Sequence, residues 1–83
     1  MSFGQRVRRR RERLGFTQED LAQKTGIQQT LISRIERGAN QNPHGDVLKR
    51  LALALHVSID WLMGMYDDDP HDQASSLVLS ASP

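Results

Sequence analysis

Between positions 29 and 37 the sequence QTLISRIER separates apolar and polar side chains in a helical pattern. Leu31, Ile32 and Ile35 form an apolar stripe with helical spacing. The polar side chains on the other faces are Gln29, Thr30, Ser33, Arg34 and Arg37. A Gln side chain can form a paired hydrogen bond with adenine, an Arg side chain can do so with guanine, and a Thr methyl group can contact the thymine methyl group. The chemistry indicated by these residues is the reading of base edges.

An ordinary amphipathic helix with a solvated polar face would show the same spacing, and for an arbitrary helical hairpin that interpretation is the more common one. A solvated face, however, normally mixes charges of both signs. Glu36 is the single acidic residue between positions 28 and 38. The composition of this face therefore favours DNA binding.

The stretch from Thr17 to Gly38 contains the signals of two short helices joined by a tight turn. Thr17 is predicted to cap the first helix, and Asp20 supplies the reciprocal carboxylate of a capping box. Gly26 ends this helix, because glycine adopts the left-handed conformation without a Cβ penalty. The second helix is predicted from about position 28 to 37, and Gly38 ends it. The pattern predicts a helix-turn-helix motif.

The remaining signals predict an all-α fold with five helices. The first helix is expected from about Phe3 to Leu14. The fourth is expected to open at Asn42-Pro43, where a capping side chain precedes a proline. Ser58 is expected to cap the fifth, which ends at Gly64. The side chains predicted to face the core include Val7, Leu14, Leu48, Leu51, Ala52, Leu55, Ile59 and Leu62, with Trp61 as a further candidate.

The motif resembles that of the Cro/repressor-type helix-turn-helix family, also called the XRE family. The matching residues are Gln18, Leu21-Ala22, Gly26-Ile27, Ile32 to Glu36 and Gly38. The resemblance covers about positions 3 to 64. It implies a compact, lambda-repressor-like DNA-binding domain over residues 1–64, followed by a short C-terminal tail.

The resemblance also implies roles for individual residues. Gln18 would hold a DNA phosphate and help to orient the side chains that read bases. The early base-reading positions fall on Gln28, Gln29 and Thr30, and the later one on Arg34. We expect Ser33, Arg37, Asn40 and Gln41 to complete the DNA-binding surface. Arg11 and Glu36 would form a structural ion pair, since the family pairs these two positions.

The arginine run in the first helix departs from the family pattern. Arg10 occupies a position that is usually apolar, so we expect its stem to cover the core and its head to reach water. Apart from Arg11, the arginines between positions 6 and 13 are expected to form a solvated face. Gln28 replaces a common capping Ser, which predicts a weaker cap. The loop from Ala39 to Asn42 has no basic residue, which predicts weaker electrostatic affinity for DNA.

Charge is unevenly distributed along the 83 residues, although the net charge is only +1. Residues 1–38 hold nine Lys or Arg and four acidic residues, a net charge of +5, whereas residues 65–83 hold four Asp and no Lys or Arg. The chain has no cysteine, and its longest apolar run, LALAL at positions 51–55, is too short to span a bilayer. We expect a cytoplasmic protein.

No catalytic or metal chemistry is indicated. The three histidines, at positions 44, 56 and 71, lack the spacing of metal ligands, and no nucleophile motif or phosphate loop is present. An enzyme is therefore disfavoured, and no cofactor or metal is expected.

Residues 65–83 form an acidic linker and a tail with one apolar cluster, Leu77-Val78-Leu79. Either this terminus is disordered or the segment from Ser75 to Ala81 pairs as a strand with its copy in a second subunit. Leu53, Trp61 and Met65 are candidates for the rest of a dimer face.

Two functions follow from these observations. The first is a homodimeric regulator, most simply a repressor, that binds double-stranded DNA at a near-palindromic operator. The alternative is the DNA-binding antitoxin of a toxin–antitoxin pair, whose tail binds a partner protein.

Overall fold

The computed structural model describes residues 1–65, which form five helices and no strands. They are α1 (Phe3–Arg13), α2 (Gln18–Thr25), α3 (Gln29–Glu36), α4 (Gly45–Leu55) and α5 (Ile59–Leu62). The predicted all-α, five-helix architecture is confirmed. The predicted tail strand, with Leu77, Val78 and Leu79, lies outside the described residues. None of the described helices is both long and apolar enough to cross a membrane.

The ends of the motif helices follow from their capping residues. The Thr17 hydroxyl accepts the Asp20 N–H at 3.0 Å, and the Asp20 carboxylate accepts the Thr17 N–H at 2.9 Å. Gly26 ends α2 in the left-handed conformation, with φ of 74°. The capping box and the glycine stop of α2 are thus present as predicted.

The start of α4 was predicted wrongly. The helix begins at Gly45, not at Pro43, and His44 precedes it without a side-chain cap. The backbone of His44 is extended, with ψ of 151°, so the chain cannot become helical before Gly45. The Asn42 N–H is bound at 3.3 Å by the Asn40 side chain, which stabilises a bend in the preceding loop.

The core lies between the five helices: α1 packs on α3, α4 and α5, and α2 packs on α3 and α4. Its fully buried side chains are Val7, Leu21, Ile32, Ile35, Leu51, Leu55 and Leu62. Burial of a side chain of this size stabilises the fold by about 1.5–3 kcal/mol. Two predictions for the core were inaccurate: Leu48 is half-buried but does not belong to the packed cluster, and Ile59 is exposed. The single turn of α5 directs Trp61 and Leu62 inward instead of Ile59.

Gly4 sets the distance between α1 and α3. A Cβ atom at this position would overlap the carbonyl oxygen of Ile35 and lie 3.1 Å from its carbonyl carbon. The first turn of α1 therefore rests directly on the backbone at the end of α3. This contact was not anticipated from the sequence.

Candidate nucleic-acid interface

The polar side chains predicted to read bases are together on the outer surface of α3. Gln29, Thr30, Arg34 and Arg37 are exposed, and Ser33 is half-buried. Thr30, Ser33, Arg34 and Arg37 follow a spacing of three, four and seven residues, which places them on one helical face. The opposite face carries Ile32 and Ile35, which are fully buried.

The turn before α3 adds one more exposed amide to this surface. Gln28 occupies the N-cap position with ψ of 139°, and its side chain makes no cap hydrogen bond. Its carbonyl accepts the Leu31 N–H at 3.0 Å, which begins the helix. The absence of a side-chain cap agrees with the expectation that Gln is a weaker cap than Ser at this position.

A buried carboxylate lies behind the outer face of α3. The two oxygens of Glu36 accept hydrogen bonds from Arg11, at 2.7 Å from Nε and at 3.0 Å from Nη2. Arg11 also donates through Nη1 to the Phe16 carbonyl at 2.8 Å. The Arg11 and Glu36 side chains are only 11% and 4% exposed. Through these contacts Arg11 joins three parts of the domain: α1, α3 and the chain segment that precedes α2.

The same carboxylate orients Gln18, the first residue of α2. The Gln18 Nε2 donates to Glu36 Oε1 at 3.1 Å. An amide nitrogen has two hydrogens, so one N–H and the amide oxygen remain for other partners. Because this nitrogen donates to Glu36, a flip of the Gln18 amide group would break the hydrogen bond.

Hydrogen bonding to Glu36 raises the pKa of Arg11 above its ordinary value. The charges of Glu36 and Glu12 act in the same direction, and desolvation of the guanidinium opposes them. Arg11 is therefore a permanent cation whose charge is neutralised inside the domain by Glu36.

The prediction that the other α1 arginines are solvated was wrong for Arg6 and Arg10, which are both buried. The Arg10 Nε donates to the Leu55 carbonyl at 2.8 Å. Leu55 is the last residue of α4, where carbonyl groups have no partner within the helix and require an external donor. The head of Arg10 therefore caps α4, and the residue is only 9% exposed.

Arg6 has a different environment. Its guanidinium carbon lies 5.0 Å from the centroid of the Trp61 ring, and its Nε donates to the Met1 carbonyl at 3.4 Å. A cation over an indole ring is a favourable arrangement, more so when both groups are withdrawn from water. Arg6 thus fixes α5 against α1. The sequence carried one signal of these structural roles, the placement of Arg10 at a usually apolar position.

The burial of Trp61 corrects its assignment to a dimer face. The side chain is 2% exposed and belongs to the core, so it offers no surface to a second copy. The other candidates among the described residues, Leu53 and Met65, are 68% and 71% exposed.

The loop that follows α3 contains the last two predicted DNA contacts, Asn40 and Gln41. Gln41 is exposed and Asn40 is half-buried. The Asn40 side-chain oxygen binds the Asn42 N–H, so its amide nitrogen is the group left for another acceptor. Among residues 1–65 no cluster of three or more His, Asp or Glu side chains is placed to hold a metal ion.

Comparison with known proteins identifies the family. The helix-turn-helix family model HTH_3 matches residues 7–62. The HTH-type transcriptional regulator SinR of Bacillus licheniformis is 32% identical over 70 residues, which are 84% of this chain and 63% of that protein. The chain therefore spans less than two thirds of the length of this relative.

Two solved structures have the same fold. The P22 c2 repressor in complex with the synthetic operator 9T superposes with a TM-score of 0.73 and 34% identity, over 77% of this chain and 96% of that one. A chain of the SinR protein/SinI protein complex superposes with a TM-score of 0.77 and 26% identity, over 98% of this chain and 82% of that one. The five-helix domain described above is thus a helix-turn-helix domain of the XRE family, and the chain belongs to that family.

Proposed function

We propose that this chain is a sequence-specific DNA-binding transcriptional regulator, most simply a repressor. The observation that carries the proposal is the exposed polar face of α3 and its C-cap, which carries Arg34 and Arg37 and no acidic side chain that reaches solvent, since Glu36 is turned inward. The related proteins give support, because they are transcriptional regulators and a repressor bound to operator DNA.

In this proposal Arg34 and Gln29 specify bases, and Gln28, Thr30 and Ser33 contact neighbouring positions. Gln18, held by Glu36 at the start of α2, directs its second N–H toward a phosphate. The exposed guanidinium of Arg37 contacts the DNA backbone. The amides of Asn40 and Gln41 bind phosphate at the other end of the motif, without the help of a charge.

The protein acts on DNA as a homodimer. One recognition helix covers too few base pairs to define a site in a genome, so two half-sites about one helical turn, roughly 34 Å, apart are required. Leu53 and Met65 are exposed apolar side chains available for a dimer face. Residues 65–83 form a linker and tail that contribute to self-association.

The base-reading roles are tested by selecting bound sites from a random DNA pool and then measuring variants on the selected operator. Arg34→Ala should weaken operator binding by about 1–3 kcal/mol and relax the preference at one base pair per half-site. Arg9→Ala is the matched control, because Arg9 is an exposed arginine on α1 outside this face. If Arg34→Ala binds operator and scrambled DNA as the parent does, α3 does not read bases through this face.

The phosphate role of Gln18 predicts a different pattern. Gln18→Ala should weaken binding to operator and to unrelated DNA by a similar factor, because phosphate contacts carry no direct sequence information. Binding of the parent protein should also weaken as salt rises, since phosphate contacts release counterions. A loss confined to the operator would assign Gln18 to base reading instead.

Dimerisation and the tail are tested together by sedimentation and footprinting. Truncation after Tyr66 should raise the dimer dissociation constant, and footprints at saturation should contain two related half-sites. An unchanged constant would remove the tail from self-association. A single unrepeated half-site would contradict the dimer itself.

A second function, binding of another protein, is favoured by one observation: a structural neighbour that superposes on 98% of this chain was solved as a complex of two different proteins. In the antitoxin form of this proposal, residues 65–83 bind a toxin. Purification of the full chain and of the Tyr66 truncation from the source cells distinguishes the two functions. A stoichiometric partner that is lost on truncation supports the second, and recovery of the homodimer alone contradicts it.

A further inference from the structure

A groove of about 400 Å³ opens between α2 and α4. Phe16, Leu53 and Ala54 contribute apolar surface to its lining. Lys24 and Arg50 also line it. The groove thus combines apolar walls with two cations.

Both cations are held in position by described contacts. The Lys24 ammonium group lies 4.7 Å from the centroid of the Phe16 ring, and the Arg50 Nη1 donates to the Thr25 carbonyl at 3.3 Å. None of the described residues that line the groove is acidic. Asp46 pairs with Arg50 at 3.1 Å from outside the groove, but this pair is well exposed and weak. The groove therefore suits a segment that carries both carboxylates and aliphatic side chains.

The chain itself contains a segment with this composition. Positions 67–79 include Asp67, Asp68, Asp69 and Asp72, followed by the aliphatic cluster Leu77-Val78-Leu79, and they contain no Lys or Arg. Opposite charges steer such a segment to the groove, and the aliphatic residues can cover Leu53.

The described chain ends at Met65, just beyond α5, which packs on α1 and α4. Extended, segment 67–79 spans up to roughly 40 Å, so its length alone excludes neither the groove of its own copy nor that of a second copy. The homodimer of the proposed function favours the second copy, because a tail held in its own groove would add nothing to self-association.

We propose that the groove between α2 and α4 binds segment 67–79 of a second copy of this chain. The proposal rests on the homodimer of the proposed function and names the surfaces that form it. Each copy supplies one tail and one groove, so a two-fold axis produces two identical contacts and a closed dimer. The DNA-facing surface of α3 takes no part in this interface.

Reversal of charge tests the pairing in the full chain. The groove variant is Lys24→Glu with Arg50→Glu, and the tail variant is Asp67→Lys with Asp68→Lys and Asp69→Lys. Sedimentation velocity over a concentration series should show that each variant alone dimerises at least about tenfold more weakly than the parent, because like charges now face each other. An equimolar mixture should recover the dimer, since each groove then meets a tail of opposite charge.

Lys49→Glu with Arg9→Glu is the matched control, because these two exposed cations lie outside the groove and the double variant has the same change in charge. It should dimerise as the parent does. Parental dimerisation of the groove variant or of the tail variant would overturn the proposal. Failure of the mixture to recover the dimer would overturn it as well, and would be the result expected if each tail occupied its own groove.

A second measurement covers a groove variant that fails to fold. The chain has no cysteine, so Val78→Cys accepts a single nitroxide label. When labelled, unenriched protein is mixed with ¹⁵N-labelled parent, the amide signals of Leu53 and Ala54 should broaden, which requires a tail from another copy. Unaffected signals would overturn the proposal. Operator binding by the parent and by Arg34→Ala is measured in parallel. If only the groove assignment is wrong, the parent still binds the operator through Arg34. If the proposed function is wrong, that binding is absent.

Discussion

Separating Arg11 from Glu36 is expected to be among the most damaging changes to this small domain. Arg11→Met keeps most of the apolar stem, and Glu36→Gln keeps the shape of the acid. The parent pair has two hydrogen bonds, of 2.7 and 3.0 Å, between side chains that are 11% and 4% exposed. Hydrogen bonds to charged groups contribute about 1.5–3 kcal/mol each, and desolvation of the two ions offsets part of the sum.

These magnitudes predict a coupling free energy of about 2–4 kcal/mol in a double-mutant cycle. Arg11→Met alone should lower the free energy of unfolding by about 3–5 kcal/mol, because it leaves the Glu36 charge buried without its partner. A domain of this size has a total stability of only about 3–10 kcal/mol. The cycle should therefore be measured by urea unfolding in a constant concentration of a stabilising osmolyte. Trp61 is the only tryptophan of the chain and is buried, so its fluorescence reports the transition.

The pair formed by Arg8 and Glu12 is the matched control. It joins the same two residue types at 3.5 Å, but its side chains are 63% and 56% exposed. The cycle made from Arg8→Met and Glu12→Gln should give a coupling of only about 0.3–0.5 kcal/mol. If the two cycles give the same coupling, burial does not strengthen the Arg11–Glu36 pair and the reasoning fails.

Three further changes have defined outcomes in urea unfolding. Gly4→Ala should lower the free energy of unfolding by about 1–3 kcal/mol, because its Cβ would overlap the Ile35 carbonyl. Gly45→Ala is the control and should not lower it, because the space around Gly45 is open. Equal changes in the free energy of unfolding would contradict the close approach of Gly4 to α3. His56→Gly should raise the free energy of unfolding by up to about 1 kcal/mol, since His56 has φ of 57°; a loss would show that the side chain outweighs the backbone cost. Hydrogen bonds from Thr17 lower the pKa of Asp20. The stability that Asp20 adds, relative to Asp20→Asn, should therefore be present above the ordinary carboxyl pKa and disappear as the pH falls through the lowered pKa. A difference in stability that does not depend on pH would contradict this.

The helix-turn-helix motif could be predicted from the sequence because its signals are local. Thr17, Asp20 and Gly26 act on backbone groups within one turn of themselves, so their effect does not depend on the rest of the fold. The exposed face of α3 follows in the same way from its apolar stripe. The residue roles assigned on that face remain predictions.

Features that depend on contacts between distant residues could not be predicted in this way. Arg10 is buried because α1 crosses the end of α4 and supplies a donor to Leu55, which is 45 positions away. Gly4 is explained only by the backbone of α3. The start of α4 was predicted wrongly for a different reason. Asn42-Pro43 has the composition of a helix N-terminus, but the backbone at His44 is extended, so the helix begins only at Gly45.

The contact of Gly4 with the backbone of α3 has a consequence for how binding specificity could change over evolutionary time. Main-chain atoms fix the distance between α3 and the first turn of α1 at this point, and the side chains on the outer face of α3 take no part in the contact. Under the proposed function, substitutions at Gln29, Thr30 or Arg34 should therefore alter which base pairs are preferred while leaving the position of the helix unchanged. A fold arranged in this way can diversify its operators one residue at a time, without a compensating change in the core after each step.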